Sequence, residues 1–582
     1  MVRLSPVSNT GVGRTWECLG RLGRVSGKQI TRPLSCMVLA LLAAPTIAQV
    51  APNAGQLLQG VDQNRLTPPP KSANLPIVEE PARPALQAPS GVKFQVTTFR
   101  FSKNKAFSSE ELAGLLADLV GKELTLADLD NAAARISRYY RQHGYFVARA
   151  YLPAQTIEGG VVEISVLEGV VGSVAIANQS LVRDETVAAY LGDVKVGEPL
   201  QGSHLERGLL LLNNLPGVNV QSTLKPGASV GTTDLDIRVS GDQRYTGSVS
   251  FDNYGSEYTG ANRAGVQLGV NNPLHLGDSL DFKGYSAGNQ FNYGRLAYQL
   301  PIGGSGFQVG TAYSSMNYRL GGTFANLDAS GTAYTSSLYA LYPLYLSRTS
   351  GVNIELSQDH KILDDRQDVS AVDSSKTADV TTLGISGNRL DTFLGGGHSA
   401  WSLAFTSGNL NLDPVTATQD AAGHQTAGSY QKGLITFSRV QQLPSQSGAW
   451  SLFVQATGQQ AGKNLDSSEK LMLGGPQAVR AYPQGEAPVD DGWLATIELR
   501  YALSPDWQLS VFGDGARGSA NHSPIPADIN NTRNISGAGL GVSYYRTDTL
   551  SLNAVLAWRT DAPPTSDTDQ LPRFWLTAQK NF

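Results

Sequence analysis

The stretch Trp450-Ser-Leu-Phe-Val-Gln-Ala456 carries the decision about the fold. Trp450, Leu452, Val454 and Ala456 recur at every second residue, and a spacing of two puts them on one face of a strand. The same period runs through Trp401-Ser-Leu-Ala-Phe-Thr406, Trp507-Gln-Leu-Ser-Val-Phe512 and Leu552-Asn-Ala-Val-Leu-Ala-Trp558. In each, one face is aromatic or aliphatic and the other is mostly small or polar. A soluble sandwich also alternates. Here, however, Trp or Tyr recurs at strand ends, and loops rich in Gly, Ser, Asn and Asp lie between the segments, which are the marks of a transmembrane β-barrel. Residues 242–582, at roughly 20 residues per tilted strand plus loop, predict an antiparallel barrel of about 16 strands. In the last segment Phe574, Leu576, Ala578 and Phe582 share a face, as expected of a terminal strand that closes the barrel.

Composition agrees with this reading. The chain has 582 residues, a net charge of -4 and only 16% charged residues, against about 25% in soluble domains. Length suggests roughly three or four domain-sized units. The absence of a basic excess argues against a nucleic-acid partner. No apolar run reaches the ~20 residues of a membrane-spanning helix. The longest, Leu34 to Ala48, is broken by Pro45 and reads as a secretory signal. Six basic residues precede Met37-Val-Leu-Ala-Leu-Leu-Ala-Ala44, and Thr46-Ile47-Ala48 offers a small-residue cleavage site. Cleavage after Ala48 would take the net charge to -9 and remove both cysteines, Cys18 and Cys36. A cysteine-free mature chain suits an oxidising compartment such as the bacterial periplasm.

Between signal and barrel the hydrophobic period changes. Residues 49–65 hold a short amphipathic helix candidate with Leu57, Leu58 and Val61 on one side. Residues 66–91 are proline-rich (Pro68-Pro69-Pro70, Pro76, Pro81, Pro84, Pro89) and read as an extended spacer. From 92 to 170 the order is strand (Phe94, Val96, Thr98, Phe99), helix, helix, strand (145–152), strand (161–168). The first helix opens on Ser108-Ser109-Glu110-Glu111, with capping-box spacing. The second, from Thr125 to His143, carries Leu126, Leu129, Ala133, Ile136 and Tyr140 as its stripe and Gly144 as its stop. Residues 171–241 repeat the order more loosely, giving two α+β units in tandem.

These features together resemble the outer-membrane transporters of two-partner secretion, the haemolysin secretion/activation proteins, which share a superfamily with the barrel-assembly factors. Tyr140-Arg-Gln-His-Gly-Tyr-Phe-Val-Ala-Arg-Ala-Tyr-Leu-Pro-Ala-Gln155 and Val166-Leu-Glu-Gly169 look like the family's first polypeptide-transport-associated (POTRA) domain. The resemblance marks Gly144, Tyr145, Phe146, Arg149, Leu152, Pro153 and Gln155 as its motif. Asn213-Asn-Leu-Pro-Gly217 looks like part of the second domain. Leu473-Gly-Gly-Pro-Gln-Ala-Val-Arg-Ala-Tyr482, with Asp491-Gly492 and Glu498-Leu-Arg500, is similar to the family's inward-folded loop, expected near 471–492. Its tip is Val479, Arg480, Ala481 and Tyr482, where the family reads Val-Arg-Gly-Tyr. Phe512-Gly513-Asp514-Gly515 looks like the barrel-wall motif Phe-x-Asp-x-Gly, with Gly515 displaced by one. Spacing places Trp507, Leu509 and Val511 toward lipid, which leaves Phe512 and Asp514 facing the lumen. A charge on the lipid face would cost ~2–4 kcal/mol near the midplane. Arg480 is then the expected partner of Asp514, in a wet lumen where such a pair is worth ~0–1 kcal/mol.

Other chemistry is weakly signalled. Gly277-Asp278-Ser279-Leu280 matches an esterase motif but falls in an expected tight turn, with no Asp-x-x-His block following. The seven histidines have no metal-ligand spacing, and there is no phosphate loop. The chain is expected to be no enzyme and to need no cofactor and no metal. The resemblance implies a translocator in the outer membrane of a Gram-negative bacterium, with its POTRA domains in the periplasm. It would bind the N-terminal secretion domain of one large, unfolded, β-helical exoprotein (haemolysin, adhesin or contact-dependent toxin). Transport would proceed without nucleotide, and the helix at 49–65 would plug the resting barrel. Other implied partners are the barrel-assembly machinery and outer-membrane lipid. A barrel-assembly insertase should carry more than two periplasmic repeats, and a passive porin or receptor would need none.

Overall fold

The computed structural model describes residues 51–62, 92–445, 448–546 and 549–582. The expected signal with its cleavage site at Ala48 and the spacer at 66–91 lie outside the described residues. The helix within 49–65 is α1 (Ala54–Asp62).

The first α+β unit runs β1 (Lys93–Gln95), β2 (Thr98–Ser102), α2 (Ser109–Gly114), β3 (Glu123–Thr125), α3 (Leu126–Gln142), β4 (Arg149–Tyr151) and β5 (Val161–Leu167). α3 begins where Thr125 accepts from the Asp128 backbone N–H while the Asp128 carboxylate accepts from the Thr125 N–H, a reciprocal cap. It ends at His143, and Gly144 (φ 92°) turns the chain away. Its stripe of Leu129, Ala133, Ile136 and Tyr140 packs on Phe99, Val162 and Ile164. Two expected strands are shorter than the sequence suggests. The Phe94–Phe99 run is two strands, because Val96 and Thr97 leave the ladder to bond with Lys122 and Gly160. The 145–152 strand is only β4, because Tyr145 to Ala148 form a turn out of α3. The sheet order β2-β5-β4 leaves β2 and β4 as edges.

The second unit runs β6 (Val170–Gln179), α4 (Asp184–Tyr190), α5 (Gly202–Asn213), β7 (Val218–Pro226) and β8 (Thr232–Gly241), with sheet order β6-β8-β7. Phe146 and Val147 of the first unit pack against its core. A Cβ at Gly202 would sit 2.8 Å from the Phe146 ring, so only glycine allows that approach.

The barrel closes on itself with sixteen antiparallel strands. They are β9 (Tyr245–Asp252), β10 (Arg263–Asn271), β11 (Ser279–Ser286), β12 (Phe291–Ile302), β13 (Phe307–Arg319) and β14 (Ala329–Leu346). Next come β15 (Ser350–Gln367), β16 (Val372–Asp391), β17 (Gly397–Leu412), β18 (Gly428–Gln442) and β19 (Trp450–Ala461). Two short strands, β20 (Leu471–Met472) and β21 (Pro488–Val489), pair with each other inside the barrel. The wall resumes with β22 (Asp491–Ala502), β23 (Trp507–Ser519), β24 (Thr532–Arg546), β25 (Leu550–Arg559) and β26 (Arg573–Asn581), and β26 pairs with β9. Trp401, Leu403 and Phe405 on β17 and Trp507, Leu509 and Val511 on β23 are exposed on the outer wall, the lipid-facing band of such a barrel. Phe574 and Phe582 lie on the same outer side, while Leu576 is half-buried. The hydrolase-like Gly277-Asp278-Ser279 is a turn between β10 and β11, with Asp278 accepting from the backbone N–H of Leu274 and Leu276 and from the Tyr298 hydroxyl.

The second unit is joined to one end of the barrel. Leu346 of β14 belongs to its apolar core. Arg207 donates to the carbonyls of Ser305 (3.2 Å) and Pro343 (2.8 Å). In the β12–β13 turn, a Cβ at Gly304 would lie 2.0 Å from the Ala189 carbonyl oxygen. Gly304→Val is therefore expected to pry this unit off the barrel, at a cost of about 1–3 kcal/mol. Limited proteolysis after Gly241 should accelerate in the variant; an unchanged cleavage rate would show that the junction tolerates the side chain.

Candidate functional site: the inward loop, its wall and the lumen helix

The chain between β19 and β22, residues 462–490, folds into the lumen. The loop thus begins earlier than the expected 471, and Asp491 and Gly492 already belong to the wall. Its tip is a small apolar core. Val479, Ala481 and Tyr482 are buried with Leu473 and Val489 against Leu494, Phe512, Ile535 and Trp575 of the wall. The lumen is therefore not uniformly polar as the barrel pattern suggests. Where loop or helix covers the wall, its inner face is packed like a protein interior.

Arg480 sits at the centre of this tip. Its Nε and Nη2 donate to the two carboxylate oxygens of Asp514 at 3.0 and 2.9 Å. Its Nη1 donates to Glu498 Oε2 at 2.8 Å. The guanidinium carbon stands 3.3 Å from the centroid of the Phe512 ring, a cation–π contact. Arg480's own backbone N–H also reaches Asp514, and its carbonyl accepts from Trp575 Nε1 at 2.6 Å. β22 and β23 build the receiving face through their register, Glu498 opposite Phe512 and Thr496 opposite Asp514. The Thr496 hydroxyl donates to Asp514, and Arg500 Nε donates to Glu498. The Asp514 side chain is 1% exposed and that of Arg480 13%, which corrects the expectation of a wet, weak pair. Two carboxylates and one guanidinium out of water are worth little net, but removing one member typically costs 3–5 kcal/mol.

Gly515 does not take part. It alternates to the outer face, where an added Cβ would meet nothing within 4 Å. Ala481 needs no left-handed backbone, since the positive φ values near the tip belong to Gly475, Gly485 and Ala487. The glycine that matters is across the gap. A Cβ at Gly537 of β24 would lie 2.5 Å from the Ala481 Cβ, and one at Gly539 would lie 2.3 Å from the Phe512 ring. Tyr482 donates its hydroxyl to the Ala562 carbonyl at 2.7 Å.

The stem carries a second set of contacts that sequence reasoning missed. Asp466 accepts from Lys376 (2.8 Å), and Glu469 from Lys361 (2.6 Å) and Lys432 (2.9 Å). Glu486, fully buried, accepts from Arg533, from the Thr565 N–H and hydroxyl, and from the Ser566 N–H and hydroxyl. The wall thus offers cations to the acidic stem and carboxylates to the cationic tip, so the seated loop is matched charge for charge at both places.

α1 lies beside the loop. Asn53 caps it through the Gln56 N–H, and the Ala54 N–H donates to Asp365 at 2.7 Å. Leu58 and Val61 are buried and Leu57 half-buried against Met316, Tyr318 and Leu363. Gly55 abuts the loop at Ser467 and Ser468, and Gly60 abuts it at Gln484.

In the first α+β unit, Gln155 bridges Glu163 through its N–H and carbonyl, both at 2.7 Å. Tyr140 is buried with its hydroxyl on Glu168 (2.9 Å), and that burial, with the carboxylate, pushes the phenol well above its usual range. Tyr145 and Leu152 pack on this core, and the Pro153 carbonyl accepts weakly from Gln155. Arg149 of β4 faces a cleft of about 830 Å³ that Phe146, Leu224 and Lys225 also line.

Residues 231–544 match the family model of the haemolysin secretion/activation protein ShlB/FhaC/HecB, and residues 94–169 match the ShlB-type POTRA domain. The heme/hemopexin transporter protein HuxB of Haemophilus influenzae (strain 86-028NP) is 30% identical over 560 residues, covering 93% of this chain and 97% of the relative. The outer membrane transporter CdiB of Dickeya dadantii (strain 3937) is 24% identical over 454 residues, 75% of this chain and 77% of that one. In structure, CdiB from Escherichia coli superposes with a TM-score of 0.70 at 21% identity, covering 88% of this chain and 94% of that one, a likeness of fold. With a family model spanning more than half of its length and a relative aligned along nearly all of it, the chain belongs to the ShlB/FhaC/HecB family of haemolysin secretion/activation proteins, the outer-membrane translocators of two-partner secretion.

Proposed function

We propose that the two POTRA units capture a large exoprotein, unfolded, through its N-terminal secretion domain. The barrel then passes it outward while α1 gives up the lumen. The observation that carries this reading is the double occupancy of the lumen, by a loop fixed at tip and stem through ion pairs and by a short helix seated on an apolar patch of the wall. On the periplasmic side, β4 and β7 are sheet edges, and residues of both line the cleft that Arg149 and Lys225 make basic. An extended segment can add to such an edge as a strand, with alternate side chains filling pockets. The cargo classes are those of the family. The HuxB likeness puts an exoprotein of heme/hemopexin uptake first among those to test, ahead of a contact-dependent toxin.

Two measurements test the proposal. Co-expression with an exoprotein encoded beside this chain should release that protein to the medium; retention in the periplasm, with the barrel inserted and heat-modifiable, would refute the translocation pairing. Deletion of residues 52–65 should raise conductance in planar bilayers, since α1 lies in the lumen between the wall and the inward loop. Equal conductance in a properly folded barrel would remove α1 as a resting plug.

A further inference from the structure

The wall beneath α1, like the wall beneath the loop tip, is apolar on its inner face. Phe291, Tyr293, Met316, Ala333 and Leu363 project inward from β12 to β15 and are at least nine-tenths buried, with Tyr258 and Phe324 forming a lip at the extracellular mouth. Such a patch would face water unless something apolar covered it. α1 covers it with Ala54, Leu58 and Val61.

The cover is the weaker partner. α1 has nine residues, too few to persist as an isolated helix in water. Gly55 and Gly60 weaken it further, and Gln59 Oε1 is buried without a hydrogen-bond partner. The seat, in contrast, is part of the barrel wall. When Ala54 departs, Asp365 keeps the Tyr318 hydroxyl at 2.6 Å, so the seat stays paired. The seat therefore outlasts the helix that fills it at rest.

We infer that the vacated seat binds aliphatic side chains of the exoprotein as it emerges, so that the plug's place becomes a holding site at the exit. The inference rests on the reading of α1 as a resting plug. Ala54 and Leu58 stand one helical turn apart, about 6 Å along the axis. Alternate residues of an extended chain are about 6.7 Å apart. An extended segment with aliphatic residues at every second position thus sets two side chains where the helix sets them, and its polar residues turn to the wet side. A β-rich cargo presents such segments throughout its length. Each aliphatic pair that lodges at the mouth opposes return to the periplasm, which favours outward movement without nucleotide.

Single-channel recording of the barrel lacking residues 52–65 tests this. The probes are a short peptide alternating valine with serine, and its counterpart with every valine replaced by serine, added from the extracellular side. The valine peptide should block with dwell times at least about tenfold longer, the ratio that burial of one or two aliphatic side chains supplies. Met316→Gln and Leu363→Gln, each at a lumenal position that a barrel tolerates, should shorten that block to the level of the serine peptide. Equal dwell times for the two peptides, or indifference to both substitutions, would overturn the holding site. A photo-crosslinker at position 316 of the full-length chain supplies the second readout during secretion. Adducts with the exoprotein are expected, and adducts with residues 51–62 alone would overturn the inference. Failure of the deletion to raise conductance would instead strike the plug reading, and the crosslink would still decide the seat.

Discussion

Arg480→Ala is expected to bring secretion below about a tenth of the wild-type level while the barrel still inserts and remains heat-modifiable. The substitution leaves Asp514 without a cation and Glu498 with Arg500 alone, and it removes the side chain stacked on Phe512. Loss of one member of a buried ionic cluster costs about 3–5 kcal/mol, which shifts the ratio of seated to unseated tip by at least about a hundredfold. Asp514→Ala should be milder, because Glu498 retains Arg480 Nη1 at 2.8 Å. The double variant should secrete no worse than Arg480→Ala, since the shared interaction is lost only once. Secretion and protease susceptibility of residues 476–484 are the two readouts. Wild-type secretion by Arg480→Ala at equal barrel levels would make the cluster incidental, and losses that multiply in the double variant would show the two residues acting separately. Ala481→Gly is expected to have little effect, because no left-handed backbone waits there to be relieved.

The second large effect is expected at Glu486. This carboxylate has no exposure and accepts from five donors on Arg533, Thr565 and Ser566, joining the loop stem to β24 and to the extracellular loop between β25 and β26. Glu486→Ala would leave those donors, the Arg533 guanidinium among them, without this acceptor, a loss of about 3–5 kcal/mol. The outcome to look for is fast hydrogen exchange across residues 560–572 and a secretion defect comparable to that of Arg480→Ala. Glu486→Gln fills the same volume but brings two donors of its own, so it should fall between the two. Undisturbed exchange in Glu486→Ala would show that Tyr482, through its bond to the Ala562 carbonyl, holds the outer loop alone.

The barrel was legible because its signal is local. A period of two needs only six or seven residues, and strand number follows from length. Arg480 and Asp514 were legible through short motifs. Glu498 stood in plain view within Glu498-Leu-Arg500, yet its position beside Asp514 depends on the pairing of β22 with β23, which no single segment contains. Asp466, Glu469 and Glu486 look like ordinary solvated loop acids. Lys361, Lys376 and Lys432, which hold two of them, lie on strands far away in the chain. The apolar seat under α1 was hidden for the opposite reason. Tyr293, Met316 and Leu363 are contributed one or two per strand, and each reads alone as a stray apolar residue on a polar face. Close approach also explains the glycines that spacing did not flag, Gly537 against Ala481 and Gly304 against the Ala189 carbonyl.

Leu346 sits in the core of the second POTRA unit although it belongs to a barrel strand. A core shared across two modules cannot come apart in one without exposing apolar surface in the other, so the pair behaves as one cooperative body. While that shared core is intact, the open edge of β7 is held at a set distance from the barrel entrance. A chain gripped at that edge must span the same length each time, and the residue that first meets the entrance is set by counting along the cargo from its grip.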